Sequence, residues 1–152
     1  MRASIAIPLG LAMSLGAGTA SAIDGDRIQV TGEVIDTWCY FSGVMGGPDA
    51  VSGSAHHTCA MWCAAGGIPV GIEATDGKVY MVLAWQGNSE IADGSTMLTV
   101  QAHNVVADGI HYSRDGIDYL LVENVVEDLG LLKENHVDYG VIPGFTIPDP
   151  NK

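Results

Sequence analysis

Three cysteines, Cys39, Cys59 and Cys63, lie close together in this chain, and His56 and His57 lie among them. The heart of the stretch reads His56-His57-Thr58-Cys59-Ala60-Met61-Trp62-Cys63. On an α-helix turning about 100° per residue, His56, Cys59 and Cys63 point within about 60° of one another, and His57 points to the opposite side. Three thiolates and one imidazole make a tetrahedral set for a soft or borderline metal. The expected site is therefore Cys39, His56, Cys59 and Cys63. Each thiol gives up its proton on binding, which a cation at neutral pH can drive. Zinc accepts the set as a closed site. Copper(I) accepts two or three of the sulfurs and tolerates a low coordination number, and a sulfur-rich set outside the cytoplasm favours copper over zinc. Met45 and Met61 offer further soft thioethers.

Two other readings compete. In the first, Cys39 pairs with Cys59 or Cys63 as a disulfide that staples a binding module without metal. A bond between Cys59 and Cys63 themselves would be strained within one helix, and one cysteine is left over in any pairing. In the second, Cys59 or Cys63 is the nucleophile of a thiol-dependent redox enzyme, with His56 as base. Cys-x-x-Cys and Cys-x-x-Cys-His are both absent, which removes c-type haem and weakens a thioredoxin-like reading. There is no Gly-x-Ser-x-Gly, no phosphate-binding glycine loop and no His-Glu-x-x-His. The carboxylates Glu33, Asp36, Asp115, Asp118 and Glu123 show no spacing that implies acid–base work. The function expected is binding, transfer or electron transfer, not hydrolysis.

The elements that carry these residues are mostly strands. Residues 27–38 are rich in β-branched residues and alternate around Val30, Val34 and Ile35, so they read as a strand, with Gly32 marking a bulge or a close backbone approach. Residues 41–54 hold four glycines and a proline and read as a loop. Residues 54–65 lack both and predict a helix of about three turns, with Ser54 as N-cap and Gly66 as its stop. Thr75-Asp76-Gly77 predicts a hairpin between strands at 68–74 and 78–85. Further strands are expected at 96–107 and 117–127, with paired turns around a short strand at 108–116. His103 and His111, in those last segments, are further ligands if the fold carries them to the helix. The tryptophans and Tyr40 read as core, although Trp38 and Trp62 adjoin cysteines and are expected to wall the site from water.

Five strands with one short helix after the first have too many edges for a flat sheet. The fold class expected is mainly β, a small five-stranded barrel resembling the OB-fold, with a β-sandwich as the alternative. Residues 30–36 resemble the opening strand of that fold, and 105–126 its closing pair.

Residues 1–22 read as a cleavable signal peptide. Arg2 gives the positive start, residues 5–18 are uncharged and apolar or small, and Ala20-Ser21-Ala22 gives small residues for cleavage after Ala22. The expected organisation is leader 1–22, a metal-binding barrel at 23–130 and a C-terminal arm at 131–152 with Pro143, Pro148 and Pro150. The location expected is the periplasm or the exterior. The formal net charge is −12, and loss of Arg2 makes the mature chain one unit more negative. Such a surface repels nucleic acid and anionic lipid. It suits a cationic partner, either a metal ion or a periplasmic redox or metal-delivery protein. No membrane association is expected once the leader is removed.

The whole chain resembles small exported bacterial proteins that carry Cys-Tyr, then His-x-x-Cys-Ala-x-x-Cys, then Gly-x-Pro-x-Gly, here Cys39-Tyr40, His56 to Cys63 and Gly67 to Gly71. Cys59-x-x-x-Cys63 is also similar to the cysteine pair of the copper-delivery proteins for cytochrome oxidase. The binuclear copper centres of oxidase subunit II and nitrous oxide reductase share it. Those resemblances imply copper at the cysteine pair. They stop there, because the delivery proteins have a thioredoxin fold and the binuclear centre needs a His and a Met soon after its second cysteine.

Overall fold

The computed structural model describes residues 24–86 and 96–136. The expected leader and most of the C-terminal arm lie outside the described residues. Five strands are present: β1 (Asp26–Asp36), β2 (Val70–Ala74), β3 (Val79–Trp85), β4 (Asn104–Arg114) and β5 (Ile117–Gly130). Two α-helices, α1 (Thr37–Ser42) and α2 (Gly53–Ala65), and a 3-10 turn at Pro48–Ala50 lie between β1 and β2. The strands close into a barrel in the order β1-β2-β3-β5-β4, with β1 antiparallel to β4 at the seam and β3 parallel to β5. This is the expected five-stranded OB-fold-like barrel, and closure removes the β-sandwich alternative.

β1 serves two partners. Asp26 to Glu33 pair with β4, and Gly32 to Asp36 pair with β2. Its inward residues Val30 and Val34 join Val70, Ile72, Val105, Ala107, Leu120 and Val122 in the core. At its C-terminal end Glu33 and Ile35 are buried as well, so both faces of the strand are covered there. Gly32 is the expected close approach. A Cβ at this position would run into the Glu73 carbonyl on β2. The hairpin at Thr75-Asp76-Gly77 also forms, with Gly77 at φ 83° and its N–H donating to the Ala74 carbonyl at 2.8 Å.

Three expectations need correction. The first strand does not reach Trp38. It ends at Asp36, whose side chain caps α1 instead. Residues 97–102 form turns, not a strand. Thr96 and Thr99 hydrogen-bond each other there, and Ala102 takes φ 61° before β4 begins at Asn104. Residues 108–114, expected as turns, are the second half of β4. Gly109 lies inside the strand and not in a turn. It permits a close approach to β5, where a Cβ would meet the Leu121 carbonyl, and the ladder shifts register beside it. His103 therefore sits just before β4, and His111 lies within it.

The helix α2 begins one residue earlier than expected, with Ser52 at the N-cap and no side-chain bond of its own. Its first N–H groups are satisfied from a distance. Gly53 donates to Glu33 on β1 at 2.5 Å, and Ala55 donates to Asn135 at 2.9 Å. A carboxylate there also complements the positive end of the helix dipole. The start of the C-terminal arm is thus docked onto α2, where the Asn135 side chain also donates to the Ser52 carbonyl at 3.0 Å. Among the described residues, no helix is long and apolar enough to cross a membrane.

Candidate metal centre

The helix α1 exists because Asp36 caps it. Its Oδ1 accepts from the Trp38 N–H at 2.9 Å and the Cys39 N–H at 3.3 Å. The single turn ends at Gly43, at φ 62°, whose N–H donates back to the Cys39 carbonyl. This turn points Cys39 inward, with 3% of its surface exposed. Thr37 then ties α1 to the chain leaving α2. Its N–H and its hydroxyl both donate to the Pro69 carbonyl, at 3.2 and 2.6 Å. The Gly67-Ile68-Pro69-Val70-Gly71 segment is what brings α1 against the end of α2.

On α2 the buried stripe is His56, Ala60 and Ala64, spaced four apart. Cys59 and Cys63 flank that stripe and are partly exposed. The sulfurs of Cys39, Cys59 and Cys63 all lie within 4.8 Å of one another, and all three thiols are free. Zinc–sulfur bonds of about 2.3 Å in tetrahedral geometry place sulfurs about 3.8 Å apart, so a contraction of at most about 1 Å closes the set. This cluster could hold a metal ion.

His56 falls in a second group, with Asp36 and Cys39, whose ligand atoms also lie within 4.8 Å of one another. The two groups share Cys39. His56 points to the same side of α2 as the other cysteines, but it is seven residues from Cys63, about 10 Å along the axis. Asp36 was not expected as a member. Its Oδ2 lies 3.4 Å from His56 Nε2, and His56 Nδ1 is buried with no hydrogen-bond partner. The spacing Asp36-x-x-Cys39 was the available signal, since an Asp three residues before an inward cysteine can cap the turn that presents it.

Charge and burial act in opposite directions here. Burial alone would raise the Asp36 carboxyl, but hydrogen bonds from Cys63, Cys39 and His56 outweigh it and hold the group below the ordinary carboxylate range. The thiols respond in the other sense. Burial, then the hydrogen bond and charge of Asp36, push Cys39 up to about 12. The same causes raise Cys63. Neither is a ready thiolate nucleophile at neutral pH. A bound cation would reverse the balance, because it supplies the positive charge that the sulfurs lack.

Trp38 and Trp62 do not wall the site. They are 60% and 72% exposed, each turned about 100° round its helix from the neighbouring cysteine. Tyr40 donates to Glu73 at 2.7 Å and lines an open cleft of about 410 Å³ with Ser52 and Lys133, which no sulfur lines. His57 and His103 meet each other away from the sulfurs, with ring centroids 5.4 Å apart. His111 pairs with Asp118 on the barrel at 2.6 Å.

Comparison with known proteins finds no matching family model, no matching curated protein and no matching solved structure.

Proposed function

We propose that this is an exported protein that binds one soft metal ion, copper(I) ahead of zinc, for storage, transfer or electron transfer. The observation that carries the reading is the meeting of three free sulfurs, from α1 and α2, within 4.8 Å. Copper(I) is satisfied by two or three thiolates, whereas zinc seeks a fourth ligand. The reading places the mature chain, from Ile23, in the periplasm after cleavage of the leader. Its partner would be a redox or metal-delivery protein with a basic surface, matched to a chain of net charge −12.

The group Asp36, Cys39 and His56 favours a second reading, in which zinc lies deeper, on a harder ligand set. Elemental analysis of reduced protein purified from the periplasm tests both. About one equivalent of copper, lost in Cys59→Ser, supports the sulfur site. Zinc retained in Cys59→Ser and lost in His56→Gln supports the deeper one. Protein that holds neither metal sinks the proposal.

A further inference from the structure

Two histidines outside the sulfur cluster meet on the other side of α2. His57 Nδ1 lies 2.6 Å from the Gln101 carbonyl. A carbonyl only accepts, so this nitrogen carries the proton and Nε2 is the lone-pair nitrogen. His103 Nδ1 lies 2.9 and 3.0 Å from the two oxygens of Asp128, which fixes the same tautomer. Each imidazole is thus anchored at Nδ1 and free to ligate at Nε2. A carboxylate or carbonyl behind the ring is the support that metal-binding histidines commonly have.

The backbone builds this meeting. Ala102, at φ 61°, turns the chain so that its N–H donates to the Val34 carbonyl at 2.8 Å, and the His103 carbonyl accepts from the Val34 N–H at 2.9 Å. Asp128 stands opposite Val105 in the β4–β5 ladder, two residues beyond His103, and it also accepts from the Gly130 N–H. The rings are stacked, with centroids 5.4 Å apart and planes 20° from parallel, so a ring must turn about its Nδ1 anchor for both Nε2 lone pairs to meet on one ion. Two imidazoles on one ion, with bonds of about 2.0–2.1 Å at a tetrahedral angle, have centroids about 5 Å apart. The His103 and Asp128 side chains are 21% and 13% exposed, so solvent reaches the place.

The geometry points to a second metal site, on His57 and His103, for a borderline divalent cation such as zinc(II) or copper(II), completed by water. Imidazole nitrogens suit these ions, and two protein ligands with water in the other positions make an exchangeable site and not a closed one. The site uses none of the sulfurs, so it stands or falls apart from the copper reading.

Zinc(II) titration of the full mature chain, followed by long-range proton–nitrogen spectra of the imidazoles, tests it. With two equivalents of zinc, the Nε2 resonances of His57 and His103 are expected to move while those of His111 stay. The same shifts are expected in Cys59→Ser, where failure of the sulfur site leaves them intact. In that background His103→Gln should weaken zinc binding at least tenfold, and Asp128→Asn by about 10- to 100-fold. Unmoved Nε2 resonances in the wild-type chain at excess zinc would show a packed pair only and overturn the site. Zinc affinity unchanged by a folded His103→Gln would do the same. Should that variant not fold, the wild-type spectra decide alone.

Discussion

The Asp36 carboxylate faces the His56 imidazole across 3.4 Å, and each residue is 1% exposed. One carboxylate therefore serves two helices. Its Oδ1 holds the first turn of α1, and its Oδ2 faces the buried stripe of α2. The sulfurs come from those same two helices. The shape of the cluster therefore rests on a residue at the end of β1, where the barrel is most fully covered.

Asp36→Asn separates the charge of that residue from its capping role. Asn is nearly as good an N-cap as Asp, so α1 should persist. The negative charge beside the thiols disappears. A thiol near a carboxylate titrates high, so its removal should lower Cys39 from about 12 by about one unit or more. The Cβ chemical shift of Cys39, followed against pH, reads this directly. An unchanged titration would mean that burial alone holds the proton.

Metal uptake should be strongly pH-dependent. Cys39 keeps its proton up to about 12, and Cys63 is raised as well. An ion taken by the sulfur group must displace at least these two protons. Apparent affinity should then rise by about a hundredfold or more per pH unit near neutrality. The Asp36–Cys39–His56 group contains one thiol and would give about tenfold. Calorimetric titration in buffers of different ionisation enthalpy counts the protons released. A count of one or fewer would exclude the sulfur group.

Glu33 is a buried carboxylate near the start of α2. Burial raises its pKa, against the opposing pull of the Gly53 N–H and of Lys133. The folded-state value lies above the unfolded one, so the contribution is fully present below about 4.5 and is lost as pH rises through the raised value. Glu33→Gln keeps an acceptor for the Gly53 N–H and cannot ionise. The melting temperature of the variant should gain on the wild type as pH rises from 4 to 7. A gap that is constant with pH would show that Glu33 does not titrate in this window.

Much of this was legible in the chain. Residues 54–65 gave a helix because twelve residues without Gly or Pro allow the period to show, and Gly32 announced a close approach. What stayed hidden was short or distant. The helix α1 is one turn, too brief for any periodicity. The groups that cap α2, Glu33 and Asn135, are 20 and 80 residues away from their partners. The helix angle puts His56 on the side of Cys59 and Cys63 but says nothing of the rise along the axis, and in the structure His56 groups with Asp36 and Cys39. Gly109 gives a turn signal in the sequence because a glycine demanded by a neighbouring strand carries the same letter as one demanded by a bend.

Gly32→Ala tests whether the barrel sets the site. Gly32 pairs with Ala74 on β2 and with Val105 on β4, at the point where β1 passes from one partner to the other. A methyl group there would strike the Glu73 carbonyl, which is backbone and cannot swing away. Overpacking of this kind costs about 1–3 kcal/mol, and denaturant unfolding should show it. The effect should extend to the metal centre. Asp36 is four residues along the same strand and pairs with Val70, so parting β1 from β2 shifts the cap of α1 relative to the exit of α2. Affinity for copper(I), measured by competition with a chelator, should fall along with stability. A variant that loses stability but binds copper(I) as the wild type does would show that the helices hold the sulfurs without help from the strand.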